Sequence, residues 1–136
     1  MPKMTFPARF EFLDEIREFV AQTARDGGFN DKEIYSLQLA ADEAASNIIE
    51  HAYGETSDAD FDVTCDMRDD LMTITMRDTG KPFNPSNVKQ PNLKADLADR
   101  QIGGLGLYLM RKLMDDVRYE ANPRTGNVLT MTKRRG

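Results

Sequence analysis

The stretch that decides the fold is Phe61-Asp-Val-Thr-Cys-Asp-Met-Arg68-Asp-Asp-Leu71-Met-Thr-Ile-Thr-Met-Arg-Asp78. It reads as two extended runs, Phe61 to Arg68 and Leu71 to Asp78, with a hairpin turn at Asp69-Asp70 between them. Upstream, Phe12, Ile16, Phe19, Val20 and Ala24 recur at helical spacing, and Gly27-Gly28 supplies a stop. That predicts a first helix over Phe12 to Arg25, preceded by a short extended stretch around Lys3 to Phe6. Asn30, with Glu33 three residues on, looks like an N-cap, and Ile34, Leu37, Ala41, Ala44 and Ile48 follow on one face. A second, longer helix should run from about Asp31 to His51 and close before Gly54, ahead of a polar turn from Glu55 to Asp60.

Downstream, Thr79 to Gln101 holds Pro82, Pro85 and Pro91 with Asn84, Asn87 and Asn92, and shows little periodicity. It reads as a long loop with one short helical turn near Lys94 to Asp99, and loops of that length in small domains are usually functional. Gly103-Gly104-Leu105-Gly106 then opens a helix through Met114. Two final strands, about Asp116 to Glu120 and Asn127 to Lys133, flank a turn over Asn122 to Gly126. Helices therefore precede and follow a cluster of hairpin-connected strands, and the strict alternation of a doubly wound sheet is absent. An α+β two-layer sandwich is expected.

The chain has 136 residues, 30% of them charged, and a formal net charge of -5, which suits one globular domain over residues 1–136. Its longest uncharged apolar run falls far short of the roughly 20 residues of a membrane span. The N-terminus lacks the apolar core and cleavage site of a signal peptide, so a soluble, cytoplasmic protein is expected. One cysteine, Cys65, and one histidine exclude an internal disulfide and a Cys/His zinc scaffold. Residues 1–93 carry 9 Lys/Arg against 18 Asp/Glu, whereas residues 94–136 carry 9 against 5. An anion should prefer the C-terminal third. Basic residues there are mostly scattered and no aromatics interleave with them, so a small phosphate ligand fits better than nucleic acid.

Three patterns could carry chemistry. Glu43, Asn47 and His51 stand at i, i+4 and i+8 of the second helix, along one stripe with about 40° of drift per step, next to the apolar face. A carboxylate, an amide oxygen and an imidazole suit a base, a hard-cation ligand and a further polar contact. A solvated helix face looks the same. Alanines around Asn47, a poor mid-helix residue, would allow another group to approach closely. Asp78, at a strand end with Gly80 two residues on, could present a carboxylate into a cleft, or could form an ordinary Asx-type turn. Gly103-Gly104-Leu105-Gly106-Leu107 could converge its N–H groups on an anion at a helix N-terminus, or serve as a hinge or packing site. It is neither a P-loop nor a dinucleotide fingerprint.

In this order the patterns resemble the N box (Glu43 to Tyr53), first glycine box (Asp78 to Phe83) and second glycine box (Gly103 to Leu107) of GHKL-type (Bergerat fold) ATP-binding domains. The similarity covers nearly the whole chain and is strongest to the small anti-sigma factor serine/threonine kinases. It implies a two-layer sandwich with a mixed, mostly antiparallel sheet and helices on one face. It also implies that Asn47 coordinates a Mg²⁺ bridging the ATP phosphates, that His51 contributes to the cofactor site, and that Glu43 acts as base or orients the attacking hydroxyl. Asp78 would accept the adenine amino group, with Gly80 giving the base room. The backbone of Gly103, Gly104 and Gly106, with Leu105 and Leu107 between and after them, would wrap the phosphates under a lid formed by Thr79 to Gln101. Arg100 is a candidate phosphate contact or a solvated lid residue. Two departures stand out: Pro82 where the superfamily usually has a second glycine, and Asn127 where the ATPase branch has a threonine.

A sensor kinase needs a phosphoacceptor histidine beyond the one in the N box, and the gyrase-like and chaperone branches need a following transducer domain. The expectation is thus a free-standing ATP-dependent serine/threonine kinase that phosphorylates a STAS-type anti-anti-sigma protein and sequesters a sigma factor or similar target. The alternative is a nucleotide-dependent partner-switching module without significant kinase activity. A homodimer is expected only from the resemblance. An exposed Phe10, Phe12 and Phe19 would be compatible with it, although core roles for these rings are the simpler reading. Neither nucleic acid nor membrane is expected as a partner.

Overall fold

A computed structural model describes residues 3–52, 59–79, 104–122 and 126–136. Strand β1 (Lys3–Pro7) leads through a 3-10 turn at Phe10–Phe12 into helix α1 (Leu13–Asp26) and then helix α2 (Asp31–Asn47). A π-helical turn at Ile48–Ala52 extends α2. Strands β2 (Asp60–Arg68) and β3 (Leu71–Asp78), helix α3 (Gly104–Leu113), and strands β4 (Asp116–Asn122) and β5 (Gly126–Arg134) follow. The five strands form one sheet in the order β1-β2-β3-β5-β4, and each pairing is antiparallel.

The hairpin turn lies at the expected place. Arg68 pairs with Leu71, and Asp69 adopts φ 54°, a left-handed conformation that aspartate tolerates better than most residues. Because side chains alternate along a strand, one sheet face collects Phe6, Phe61, Val63, Cys65, Met72, Ile74, Met76, Leu129 and Met131, all buried. The helices cover that face. From α1, Ile16, Val20, Ala21 and Ala24 enter the core, and from α3, Met110; Met114, just beyond its end, joins them. Alanines 40, 41, 44 and 45 are all buried on α2, which touches both α1 and α3 as well as β3. A helix flanked on two sides and floored by a sheet buries far more than one stripe, and small side chains let its neighbours approach.

Local signals set the helix ends. Asn30 Oδ1 accepts from the Glu33 N–H at 2.8 Å, while Glu33 Oε1 accepts from the Asn30 N–H at 2.9 Å, a reciprocal capping box. At the end of α1, Gly28 takes φ 84° and donates its N–H to the Arg25 carbonyl at 3.0 Å. The C-terminal residues tie these ends to the sheet. Arg135 donates to the Gly27 carbonyl at 2.6 Å and, through its backbone N–H, to the Asp70 carbonyl at 2.6 Å, while Gly136 N–H donates to Glu33 Oε2 at 2.8 Å. Phe12 and Phe19 pack against the core, Phe19 with its ring centroid 6.2 Å from that of Phe6, but Phe10 is 48% exposed. The Cys65 thiol is buried, which pushes its pKa up to about 12. No helix among the described residues is long and apolar enough to cross a membrane.

Candidate functional site

Only three of the buried residues among those described are polar: Asn47, Asp78 and Asn127. Burying such groups costs free energy unless they find partners, so each needs an account.

Asn47 is the last residue of α2 and is 5% exposed. Neither its Oδ1 nor its Nδ2 has a hydrogen-bond partner among the described residues. An unmet buried amide costs on the order of 1–3 kcal/mol, and nothing in the packing of α2 returns it. The sequence placed Asn47 beside the apolar face; the fold puts it inside the core, because α2 is covered on two sides. Glu43, one turn earlier, is half-buried. Burial is the main influence pushing its carboxyl pKa above the ordinary value, with the negative charges of Asp42 and Glu50 adding to it. Arg17 of α1 pairs with both Asp14 and Asp42, which ties α1 to α2 one residue before Glu43. His51 falls within the π-helical turn rather than on the continuing α-helix.

Asp78 ends β3 and lies opposite Asn127, the second residue of β5. The two are 4% and 3% exposed, and Asn127 Nδ2 donates to Asp78 Oδ1 at 2.9 Å. Gly126 fixes how closely these strand ends approach: its φ is 100°, and a Cβ there would stand 2.5 Å from the Asp78 carbonyl oxygen. No side chain fits. Asp78 is therefore not an Asx-turn residue on the surface but a buried carboxylate held by a cross-strand amide. Sequence reading assigned Asn127 no site role beyond a departure from a pattern. Strand alternation was the available signal, since Asn127 shares its face with Leu129 and Met131.

The glycine-rich motif becomes helix at Gly104, so the backbone of Gly104, Leu105, Gly106 and Leu107 forms the start of α3. No acidic residue occupies that first turn, which leaves the positive end of the helix dipole to an outside anion. Gly80, Arg100 and Gly103 lie outside the described residues, as does the rest of the expected lid beyond Thr79. Because α2 touches both β3 and α3, the helix that carries Glu43 and Asn47 adjoins the elements that carry Asp78 and the glycines. A hard oxygen donor, a carboxylate with a raised pKa, a buried acceptor and a helix N-terminus are thereby grouped around α2.

Residues 6–133 match the family of histidine kinase-like ATPase domains. The chain belongs to that family. Its ATPase-type relatives include serine-protein kinases named RsbW: that of Bacillus pumilus is 34% identical over 137 residues, covering 96% of this chain and 83% of the relative. The Bacillus subtilis protein is 32% identical over 135 residues with the same coverages. The fold agrees with a solved structure of the RsbU and RsbW domains of Rv1364c from Mycobacterium tuberculosis. The TM-score is 0.68 at 17% identity, over 99% of this chain and 32% of that one. The GHKL-type resemblance to anti-sigma serine kinases and the two-layer fold expected from it are borne out. Membership of an ATPase family brings ATP with it.

Proposed function

We propose that this chain is a single-domain, cytoplasmic, ATP-dependent protein serine/threonine kinase acting as an anti-sigma regulatory factor. It transfers the γ-phosphoryl group of ATP to a serine of a STAS-type anti-anti-sigma protein and sequesters a sigma factor or similar target, alone or as a homodimer. The observation that carries this reading is the buried amide of Asn47, one helical turn beyond Glu43 and without a partner among the described residues. The relatives' name, serine-protein kinase, supports it.

A buried amide oxygen with no donor among the described residues fits a hard cation, which takes oxygen ligands and keeps phosphate and water in the rest of its shell. Asn47 would hold Mg²⁺ through Oδ1, and the metal supplies charge neutralisation for the phosphates. Glu43 is positioned to accept the proton of the attacking hydroxyl, and a carboxyl pKa displaced upward from its ordinary value improves a base that works near neutrality. Asp78 accepts the adenine amino group, and the N-terminus of α3 receives phosphate oxygens. His51 and Arg100 belong to the same site in this reading. Phosphoryl transfer asks chiefly for positioning and electrostatic stabilisation, and these residues offer both. The more basic C-terminal third of the chain contains the glycines, while the acidic remainder contains the metal-side helix.

Incubation with labelled Mg-ATP and a STAS-type antagonist tests the assignment. Label should pass to a serine of the antagonist and be lost in Asn47→Ala and Glu43→Ala; undiminished labelling by both variants overturns it. Saturating Mg-ADP should stabilise the protein by about 2.7 kcal/mol at a hundredfold excess over Kd.

A further inference from the structure

The hydrogen bond between Asn127 and Asp78 joins the second residue of the last strand to the final residue of β3 across 49 positions of sequence. Both side chains are buried, and the glycine before Asn127 is held in a conformation and at a distance that exclude any side chain. The strand register therefore fixes the donor on the carboxylate rather than leaving it to rotamer chance. We infer that Asn127 is a positioning residue which keeps Asp78 a hydrogen-bond acceptor and thereby selects a purine with a 6-amino group over one with a 6-oxo group. This rests on the reading of Asp78 as the base-recognising group of the nucleotide site.

The argument follows from hydrogen-bond polarity. An ionised carboxylate only accepts, whereas a protonated one also donates. A buried carboxyl drifts toward the protonated form unless donors stabilise its charge. The Asn127 amide is such a donor, and its bond to Oδ1 also fixes the plane in which the carboxylate lies. A fixed acceptor suits the N–H of a 6-amino group. It leaves the oxygen of a 6-oxo purine facing another acceptor, and sites built on buried hydrogen-bonding groups reject a mismatched partner strongly because those groups then lose their partners.

ADP and inosine diphosphate differ at this position, so calorimetric titration of the full chain with each gives a direct reading. The wild-type protein should prefer ADP. Asn127→Leu removes the donor and should reduce the ADP preference at least tenfold. Asn127→Asp keeps the shape but sets a second carboxyl against Asp78, and two such groups share a proton. Relative to wild type, the ADP affinity of this variant should rise as the pH falls from about 8 to 5, because the introduced carboxyl regains the donor role once protonated; the ratio removes the titrations of Glu43 and of the ADP phosphate, which both proteins share. A merely structural asparagine would not create that pH dependence. The isosteric variant also keeps the question open to measurement if the leucine variant fails to fold. Undiminished ADP preference in Asn127→Leu, or a pH profile of Asn127→Asp that parallels that of wild type, overturns the inference while leaving the nucleotide reading intact. Failure of the wild-type protein to bind ADP removes both.

Discussion

Helix α2 carries an asparagine at each end, and the two are treated in opposite ways. Asn30, at the N-cap, is exposed, yet its side chain and backbone N–H are both engaged by Glu33, whose second oxygen also accepts from Gly136. Asn47, at the last position, is buried with no partner for either side-chain atom among the described residues. Solvent would have met the needs of the first, and nothing within the described fold meets those of the second. One end of the helix is thus built for stability, and the other retains a polar deficit among the described residues that the proposed Mg²⁺ would meet. The Asp78–Asn127 pair lies between these extremes: buried like Asn47, but partnered like Asn30.

The largest effect belongs to Asn47→Leu, which removes the unmet amide at similar volume. Phosphotransfer to the antagonist should fall by at least a hundredfold, while the ligand-free protein gains up to about 1–3 kcal/mol in denaturant unfolding. A loss of stability instead would mean that Asn47 is structural. Next comes Glu43→Gln. Because the Glu43 pKa is raised, wild-type kcat/KM should decline on acidification at a pH above the ordinary carboxylate range, as the base takes up its proton. The glutamine variant should lose that acid limb and most of its rate, with an unchanged or higher Tm at neutral pH, where burial disfavours the charged form.

The satisfied buried pair predicts the reverse of Asn47. Asp78→Leu takes away the acceptor of the Asn127 Nδ2–H bond and should cost about 1–3 kcal/mol, whereas the double replacement Asp78→Leu/Asn127→Leu should recover part of that loss. Additive losses in such a cycle would deny the coupling. The smallest effect belongs to the exposed end: Asn30→Ala should cost about 1 kcal/mol. Bonds from Gly136 and Asn30 hold the Glu33 carboxyl below its usual pKa. A depressed carboxylate pKa contributes stability that is present above the unfolded-state value and is lost as pH falls through the folded one. The difference between wild type and Glu33→Gln, which removes the titrating carboxyl itself, should therefore shrink as the pH drops below about 4, as urea midpoints at two pH values would reveal.

These regions also differ in how openly the sequence declared them. The capping box and the Asp69-Asp70 turn depend on residues three or fewer positions apart, and both lie where the sequence put them. Burial of Asn47 depends on α1 and α3 closing on both flanks of α2, which no single helical stripe expresses. The π-helical turn at Ile48–Ala52 is a change of helical pitch, a local adjustment without a residue signature. Asn127 meets Asp78 only because β5 enters the sheet between β3 and β4, a crossing of the chain that alternation within either strand leaves open. For Glu43, Asn47, Asp78 and the glycines, residue chemistry alone left bland readings standing. Their order along the chain was what pointed to a nucleotide site.

Cys65 turns the sheet into its own clock. As the chain's one thiol, buried on β2 with its pKa pushed to about 12, it offers almost no thiolate to a reagent while the sheet is closed. Alkylation of the unaltered protein must therefore wait for the strands to part, and its rate counts those openings. A nucleotide that binds only the closed form should slow the reaction by the factor 1 + [L]/Kd, so that one buried cysteine on β2 reports occupancy of the proposed site without any label being introduced.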